Sequence, residues 1–319
     1  MQTRAVVLLA VVAAAAAGVW YVTQQRAPAP ERAAPPPAVA PTSSPAAQAP
    51  TVARAPLPPA DAPHASTDTA LRERASGGDG AAAWRWYREQ ADCRRWREWS
   101  AAPEGFARKL IDAAAAGGSQ PPLFAMPPDE LEAFRNPANS AEIAAANAQN
   151  LMERLETLCA GSQDATDDEV YRIALAAALS GPTQAKWQFI DTPPADLAAN
   201  DARRRDWSAR ALGIAQAQLA EGDTEAAFAL GVAYAKDDYD ERRRGAVTRN
   251  AFNASLANDP KRAYELLSVY LSTQPDPARL ERTQQLLAEL RDALTDDERA
   301  AAQAAADKLR LEYFSGRDN

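Results

Sequence analysis

From about Thr67 onward the apolar positions fall three and four apart, the spacing that gathers them on one face of an α-helix, and β-branched runs are missing. The pattern is interrupted at Gly117-Gly118, Pro121-Pro122, Pro127-Pro128, Gly161, Gly181-Pro182, Pro193-Pro194, Gly222, Pro260, Pro275 and Pro277, which predicts many short antiparallel helices. Helix starts are marked as well. Asp259-Pro260 and Asp276-Pro277 set a capping carboxylate before a proline whose missing N–H costs nothing in a first turn. Thr166-Asp167-Asp168-Glu169 and Thr295-Asp296-Asp297-Glu298 place threonine three residues before glutamate at the head of an Ala/Leu-rich run, as in a capping box. The expected fold class is all-α.

Upstream the pattern changes twice. Residues 5–22 carry no charged or strongly polar side chain, and at about 1.5 Å per residue such a run crosses most of a hydrocarbon core of about 30 Å. Arg4 precedes the run, with Trp20, Tyr21 and Arg26 at its far end, the order of an uncleaved anchor in a bacterial inner membrane. The competing reading is a secretory signal with its apolar core at 6–12 and a small-residue cleavage region at 13–17. Both readings export the rest of the chain. Residues 27–66 are so rich in proline and alanine that neither helix nor sheet is expected, only an extended spacer with a reach on the order of 100 Å. The expected organisation is thus a signal-anchor or signal peptide at 1–26, a disordered linker at 27–66 and a helical domain at 67–319.

Composition narrows the chemistry. The single histidine, His64, falls in the linker, where a solvated side chain is expected, and this leaves the folded part without an imidazole for nucleophilic catalysis or the usual zinc sites. No glycine-rich phosphate loop is present, and a net charge of −8 on an exported chain argues against nucleic acid. No cofactor is expected. The run Asp237-Asp238-Tyr239-Asp240-Glu241-Arg242-Arg243-Arg244 pairs Asp238 with Arg242 and Asp240 with Arg244 at helical spacing, which describes a solvated helix face.

One pattern recurs. GDGAAAWRWY begins at Gly78 and GDTEAAFALGVAY at Gly222, and a looser version, GPTQAKWQF, puts Gly181, Ala185, Trp187 and Phe189 at the offsets of Gly222, Ala226, Phe228 and Leu230. Each glycine is expected to end one helix in a left-handed turn, and each following residue to begin the next. Ala226, Leu230 and Tyr234 then lie four apart on one face, with Ala226 and Gly231 small enough for a neighbouring helix to approach. The segment resembles the Sel-one-like repeat, a short relative of the tetratricopeptide repeat, whose first helix reads Gly-x3-Ala-x3-Leu-Gly-x2-Tyr. In DPKRAYELLSVY, Asp259, Arg262, Ala263 and Leu266 match its second helix, so the best match runs over 222–270. The resemblance implies packed pairs of antiparallel helices in an α/α repeat, with Ala82, Trp86, Gly181, Ala185, Phe189, Gly222, Ala226, Leu230, Gly231, Tyr234, Ala263 and Leu266 at packing positions. Departures are the long segment between Tyr234 and Asp259, and Tyr87 and Gln90 where the family has glycine and tyrosine. The plainer alternative is an irregular helical bundle whose spacing imitates a repeat.

The two cysteines, Cys93 and Cys159, are expected to form a disulfide on an exported chain, a staple contributing about 4 kcal/mol on the chain-entropy estimate. On the helix after Gly78, Trp84, Arg88, Trp96 and Trp99 fall within one arc and form a candidate binding surface, while Trp86 and Cys93 point to the opposite side. The alternative is a helix packed on both faces with salt-bridged edges, since Glu89 and Asp92 lie in the same arc. The expected function is that of a non-enzymatic scaffold held in the periplasm for another envelope protein or peptide. The alternative from another class is a peptidoglycan hydrolase or glycan-binding protein with a carboxylate pair and the tryptophans as a sugar platform.

Overall fold

The computed structural model describes residues 55–102, 105–106, 108–110, 124, 141–194, 200–236, 247–273 and 275–315. The candidate anchor at 5–22, the linker up to residue 54 and the charged run from Asp237 lie outside these residues. Among the described residues no helix is long and apolar enough to cross a membrane.

The described residues form helices and no strand, as the spacing predicts. In chain order these are α1 (His64–Ser76), α2 (Gly80–Ser100), α3 (Ala141–Cys159), α4 (Asp167–Ser180), α5 (Thr183–Asp191), α6 (Asp201–Ala220), α7 (Thr224–Ala235), α8 (Val247–Ser255), α9 (Pro260–Leu271), α10 (Pro277–Ala293) and α11 (Asp296–Leu309). A π-helical turn, Arg310–Phe314, follows α11. The folded body begins at Pro56.

The Gly-Asp motif does the same local work at both sites. Gly78 and Gly222 sit at φ 80° and 77°, the left-handed region that glycine enters without a Cβ clash. The next amide reaches back five residues, Asp79 N to Arg74 O at 3.0 Å and Asp223 N to Gln218 O at 2.9 Å, closing the preceding helix in a Schellman turn. The same aspartate then caps the following helix, Asp79 accepting from Ala82 N and Asp223 from Glu225 N. At Gly181 the looser copy differs: φ is −96°, and Pro182 stands at the cap of α5 without a side-chain bond.

The helix starts at Asp259, Thr166 and Thr295 carry the side-chain caps that the sequence signals, with one departure. Thr295 and Glu298 form the full reciprocal capping box. Thr166 accepts from Glu169 N at 3.3 Å, but the Glu169 carboxylate instead accepts Arg72 Nη1 of α1 at 2.8 Å.

Among the described residues three apolar clusters hold the body together. The largest gathers around α7, which is apolar on all sides and buried from Ala226 to Ala233, and so sits centrally among its neighbours. Its closest partner is α9, with α6, α8, α10 and α11 around the pair. A second cluster joins α1, α2, α4 and α5 through Leu71, Ala82, Trp86, Ile173 and Ala185. A third, smaller one joins α2 to α3 through Cys93, Phe106, Leu151, Leu155 and Cys159.

His64 corrects the reading of it as a solvated linker residue. It opens α1 at 1% exposure, its Nδ1 is 3.0 Å from Glu89 Oε2, and its Nε2 is 3.0 Å from Gln90 Oε1. Gln90 Nε2 donates to Gln163 O at 3.2 Å, which turns its oxygen toward the ring. Both neighbours are acceptor oxygens, and a ring with polar partners is buried at lower cost than one without them; proline density upstream gives no hint of that partner set.

Candidate functional site

The repeat positions are buried in two groups. Ala82, Trp86 and Ala185 lie in the α1–α2–α4 cluster, with Trp86 fully buried and its Nε1 donating to Asp68 Oδ1 at 2.7 Å. Phe189, Ala226, Leu230, Ala263 and Leu266 lie in the larger cluster, with Tyr234 half-buried against it. Gly231 faces Leu267 so closely that a Cβ would stand 2.7 Å from its Cγ, and Gly222 makes the left-handed turn. Gly181 packs against Gly80, whose own Cβ would stand 2.1 Å from the Ser180 carbonyl.

The four residues of the candidate binding surface separate into two packed groups. Trp84 is 7% exposed, stacked on Tyr87 at 5.9 Å and meeting the edge of Phe124 at 5.4 Å. The Arg88 guanidinium lies over both Trp84 and Phe124, at 5.7 and 5.5 Å. Further along the helix, Trp96 and Trp99 are half-buried against Phe106, with Arg95 over Trp99. The physical reason is that a helix carrying large side chains all round can be covered from more than one side, here by α4 and by Phe124. Burial also pushes the Tyr87 hydroxyl above the ordinary phenol range.

Arg88 does reach a cleft of about 840 Å³ that the sequence did not single out. From α2 it takes Arg85, Arg88, Glu89 and Asp92, and from α3 it takes Asn150, Glu153, Arg154, Thr157 and Leu158. Both sets follow helical spacing, so two facing helix stripes form the walls. Phe124 and the Ala60-Asp61 turn complete the lining. Cys93 and Cys159, one residue beyond the last wall residue of each helix, are joined, with sulfurs 2.11 Å and Cα atoms 5.2 Å apart. The expected disulfide is therefore present, and it ties the two walls together at one end.

Both signs of charge enter the cleft, and those on the α2 wall are held in place. Arg85 Nε donates to Glu89 Oε1 at 2.6 Å, and the other Glu89 oxygen faces His64. Asp92 Oδ1 accepts the Phe124 amide at 2.7 Å, while Arg88 Nη2 donates to the Phe124 carbonyl at 2.9 Å. The two side chains thus clamp Phe124 through its own amide and carbonyl. On the α3 wall Asn150, Glu153 and Thr157 offer polar groups. A cleft with fixed charges of both signs on its α2 wall and an otherwise largely apolar lining suits a segment that carries both polar and apolar groups. Among the described residues no cluster of three or more metal-ligating side chains is found. The α3 stripe was legible only indirectly, because the expected disulfide is the one sequence signal that brings α3 beside α2.

Compared with known protein families, curated proteins and solved structures, the chain shows no significant match.

Proposed function

We propose that the chain is a non-enzymatic, envelope-tethered helical repeat protein that serves as a protein–protein interaction scaffold. The observation that carries this reading is the α2–α3 cleft, with charges of both signs held on its α2 wall and that wall tied to α3 by the disulfide. A pre-set groove that sets charged groups on an apolar lining binds an extended segment without the ordering cost of a mobile one. In this reading residues 1–26 anchor the chain in a bacterial inner membrane, or are cleaved as a signal. The body then works in the periplasm at the end of its proline-rich tether, on another envelope protein or peptide. The disulfide supports an oxidising compartment. The Sel-one-like reading is supported by the Gly-Asp turn at 222–223 and the close α7–α9 contact at Gly231. No cofactor and no nucleic acid enter it.

His64 belongs to the folded body, so histidine chemistry is not excluded by composition. It is opposed instead by the burial of the ring and the engagement of both its nitrogens, which leave it no path to a substrate.

One observation favours the second reading, a peptidoglycan hydrolase or glycan-binding protein: Glu89, Asp92 and Glu153 line the same cleft. The purified chain should leave peptidoglycan intact, and replacing wall residues, Asn150→Arg or Thr157→Arg, should weaken capture of an envelope partner by about tenfold or more without changing the circular dichroism. Glycan turnover abolished by Glu153→Gln or Asp92→Asn would overturn the scaffold reading in favour of the hydrolase. Capture unaffected by every wall substitution would remove the cleft from it.

A further inference from the structure

We propose that the face of α1 and α2 bearing Arg74 and Arg85 is a recognition groove for extended proline-rich segments of the form Pro-Leu-Pro-Pro, filled in cis by residues 56–59 and able to take such a segment from a partner.

Residues 56–59 lie against the helices without forming secondary structure of their own. Three of their four carbonyls accept guanidinium hydrogens: Pro56 O from Arg74 Nη1 at 2.9 Å, Pro58 O from Arg85 Nη1, and Pro59 O from Arg85 Nη2 at 2.7 Å. Leu57 is half-buried against the cluster that contains Leu71, Ala75 and Trp84. Pro56 and Pro59 themselves remain exposed.

The chemistry fits the ligand class. Proline has no N–H, so a proline-rich main chain offers its partner almost only acceptors, and in the extended left-handed conformation those carbonyls are not bonded internally. A groove for it must therefore supply donors without acceptors, which is what a guanidinium does. Both forks are set independently of the strap. Arg74 Nε and Nη2 rest on Asp79 Oδ2 at 2.9 and 2.6 Å, and Arg85 Nε rests on Glu89, itself held by His64. The outer nitrogens are thus presented at fixed spacing before any segment arrives, with one apolar seat between them. Proline-rich peptides are read elsewhere in aromatic-lined grooves that exploit their preformed conformation, and the cluster beneath Leu57 contains Trp84 and Trp86.

The Pro56 and Pro58 carbonyls bond only across the groove, whereas the Pro59 carbonyl also accepts the Ala62 amide at 3.3 Å in the turn that leads into α1. A tethered occupant holds the groove at an effective concentration on the order of millimolar, so a partner segment has to displace it. This groove shares Arg85 with the cleft but takes nothing from the α3 wall, so Leu57 and Arg74 test the groove while Asn150 and Thr157 test the cleft.

The test is fluorescence anisotropy of a labelled Ala-Pro-Leu-Pro-Pro-Ala peptide with the full chain. Leu57→Asp, which puts a charge in the apolar seat, should release the strap and raise peptide affinity by about tenfold or more over the unaltered chain. Adding Arg74→Met and Arg85→Met should remove that gain, and a peptide with aspartate for leucine should not bind. If Leu57→Asp does not fold by circular dichroism, Pro58→Gly carries the same comparison. Equal affinity with and without release, no binding to either, or a gain that survives loss of both arginines would overturn the proposal. The cleft reading, tested at Asn150 and Thr157, would stand.

Discussion

Three glycines in helices face different neighbours, and the difference predicts how each tolerates a methyl group. At Gly80 a Cβ would stand 2.1 Å from the Ser180 carbonyl carbon and oxygen and 2.3 Å from Gly181 N, which are backbone atoms that cannot turn aside. At Gly231 the obstruction is the Leu267 side chain, at 2.7 and 2.8 Å, which has other rotamers. Gly213, in α6, would meet nothing within 4 Å. Gly80→Ala should therefore destabilise by about 3 kcal/mol or more and Gly231→Ala by about 1–2 kcal/mol, both as overpacking. Gly213→Ala should stabilise by about 0.5–1 kcal/mol through helix propensity. Urea denaturation of the three variants checks the order, and a Gly80→Ala variant as stable as the parent would refute the close α2–α4 contact.

At the scale of elements, the attachment of α3 and the start of α11 can each be tested. Helix α3 packs mainly on α2, and its cluster with α2 includes the two cysteines. The disulfide closes a loop with a sequence separation of 66. Its loss in Cys93→Ser with Cys159→Ser should cost about 4 kcal/mol by loop entropy. Limited proteolysis should then cut first within α3, while α7 and α9 stay protected. Cleavage beginning in α9 would contradict the separate clusters.

For α11, Thr295→Ala should cost about 1 kcal/mol as a lost N-cap. Its partner Glu298 has a pKa below the ordinary value of 4.5, chiefly because the Thr295 amide donates to its carboxylate. A carboxylate with a depressed folded value contributes stability above about pH 4.5 and loses it as pH falls through the lower value. Glu298→Gln should accordingly be less stable than the parent at about pH 7 and indistinguishable from it near about pH 2. A difference that persists at the acid end would show that the side chain acts through something other than its charge.

At the scale of the whole molecule, the scaffold reading requires everything after Gln25 to lie outside the cytoplasm. Reporter fusions placed after Ser66 should be active only as the periplasmic type. Activity restricted to a cytoplasmic reporter would remove the export reading, and with it the reason for expecting the disulfide to form in the cell.

Helix content, the Gly-Asp turns at 78–79 and 222–223 and the cap at Thr295 could be read from sequence alone because each is made between residues at most a few positions apart. Hydrogen-bonded turns and caps are local, and their residue requirements are narrow. The Cys93–Cys159 pair was legible for a different reason: with only two cysteines on a chain read as exported, there was one pairing to make.

Burial and contact between distant segments were decided only by the tertiary structure. Trp84 looked like part of a surface because α2 carries large side chains round its circumference, and nothing in its spacing says that Phe124 covers one of them. His64 looked solvated because its neighbours are prolines, whereas its partners Glu89 and Gln90 lie 25 and 26 residues away. The cleft exists because stripes on α2 and α3 face each other, and the strap is held because Arg74 and Arg85 point at its carbonyls. A side chain's environment is set by whichever remote element comes to lie over it, and helical periodicity records only the side of the helix on which that element must be.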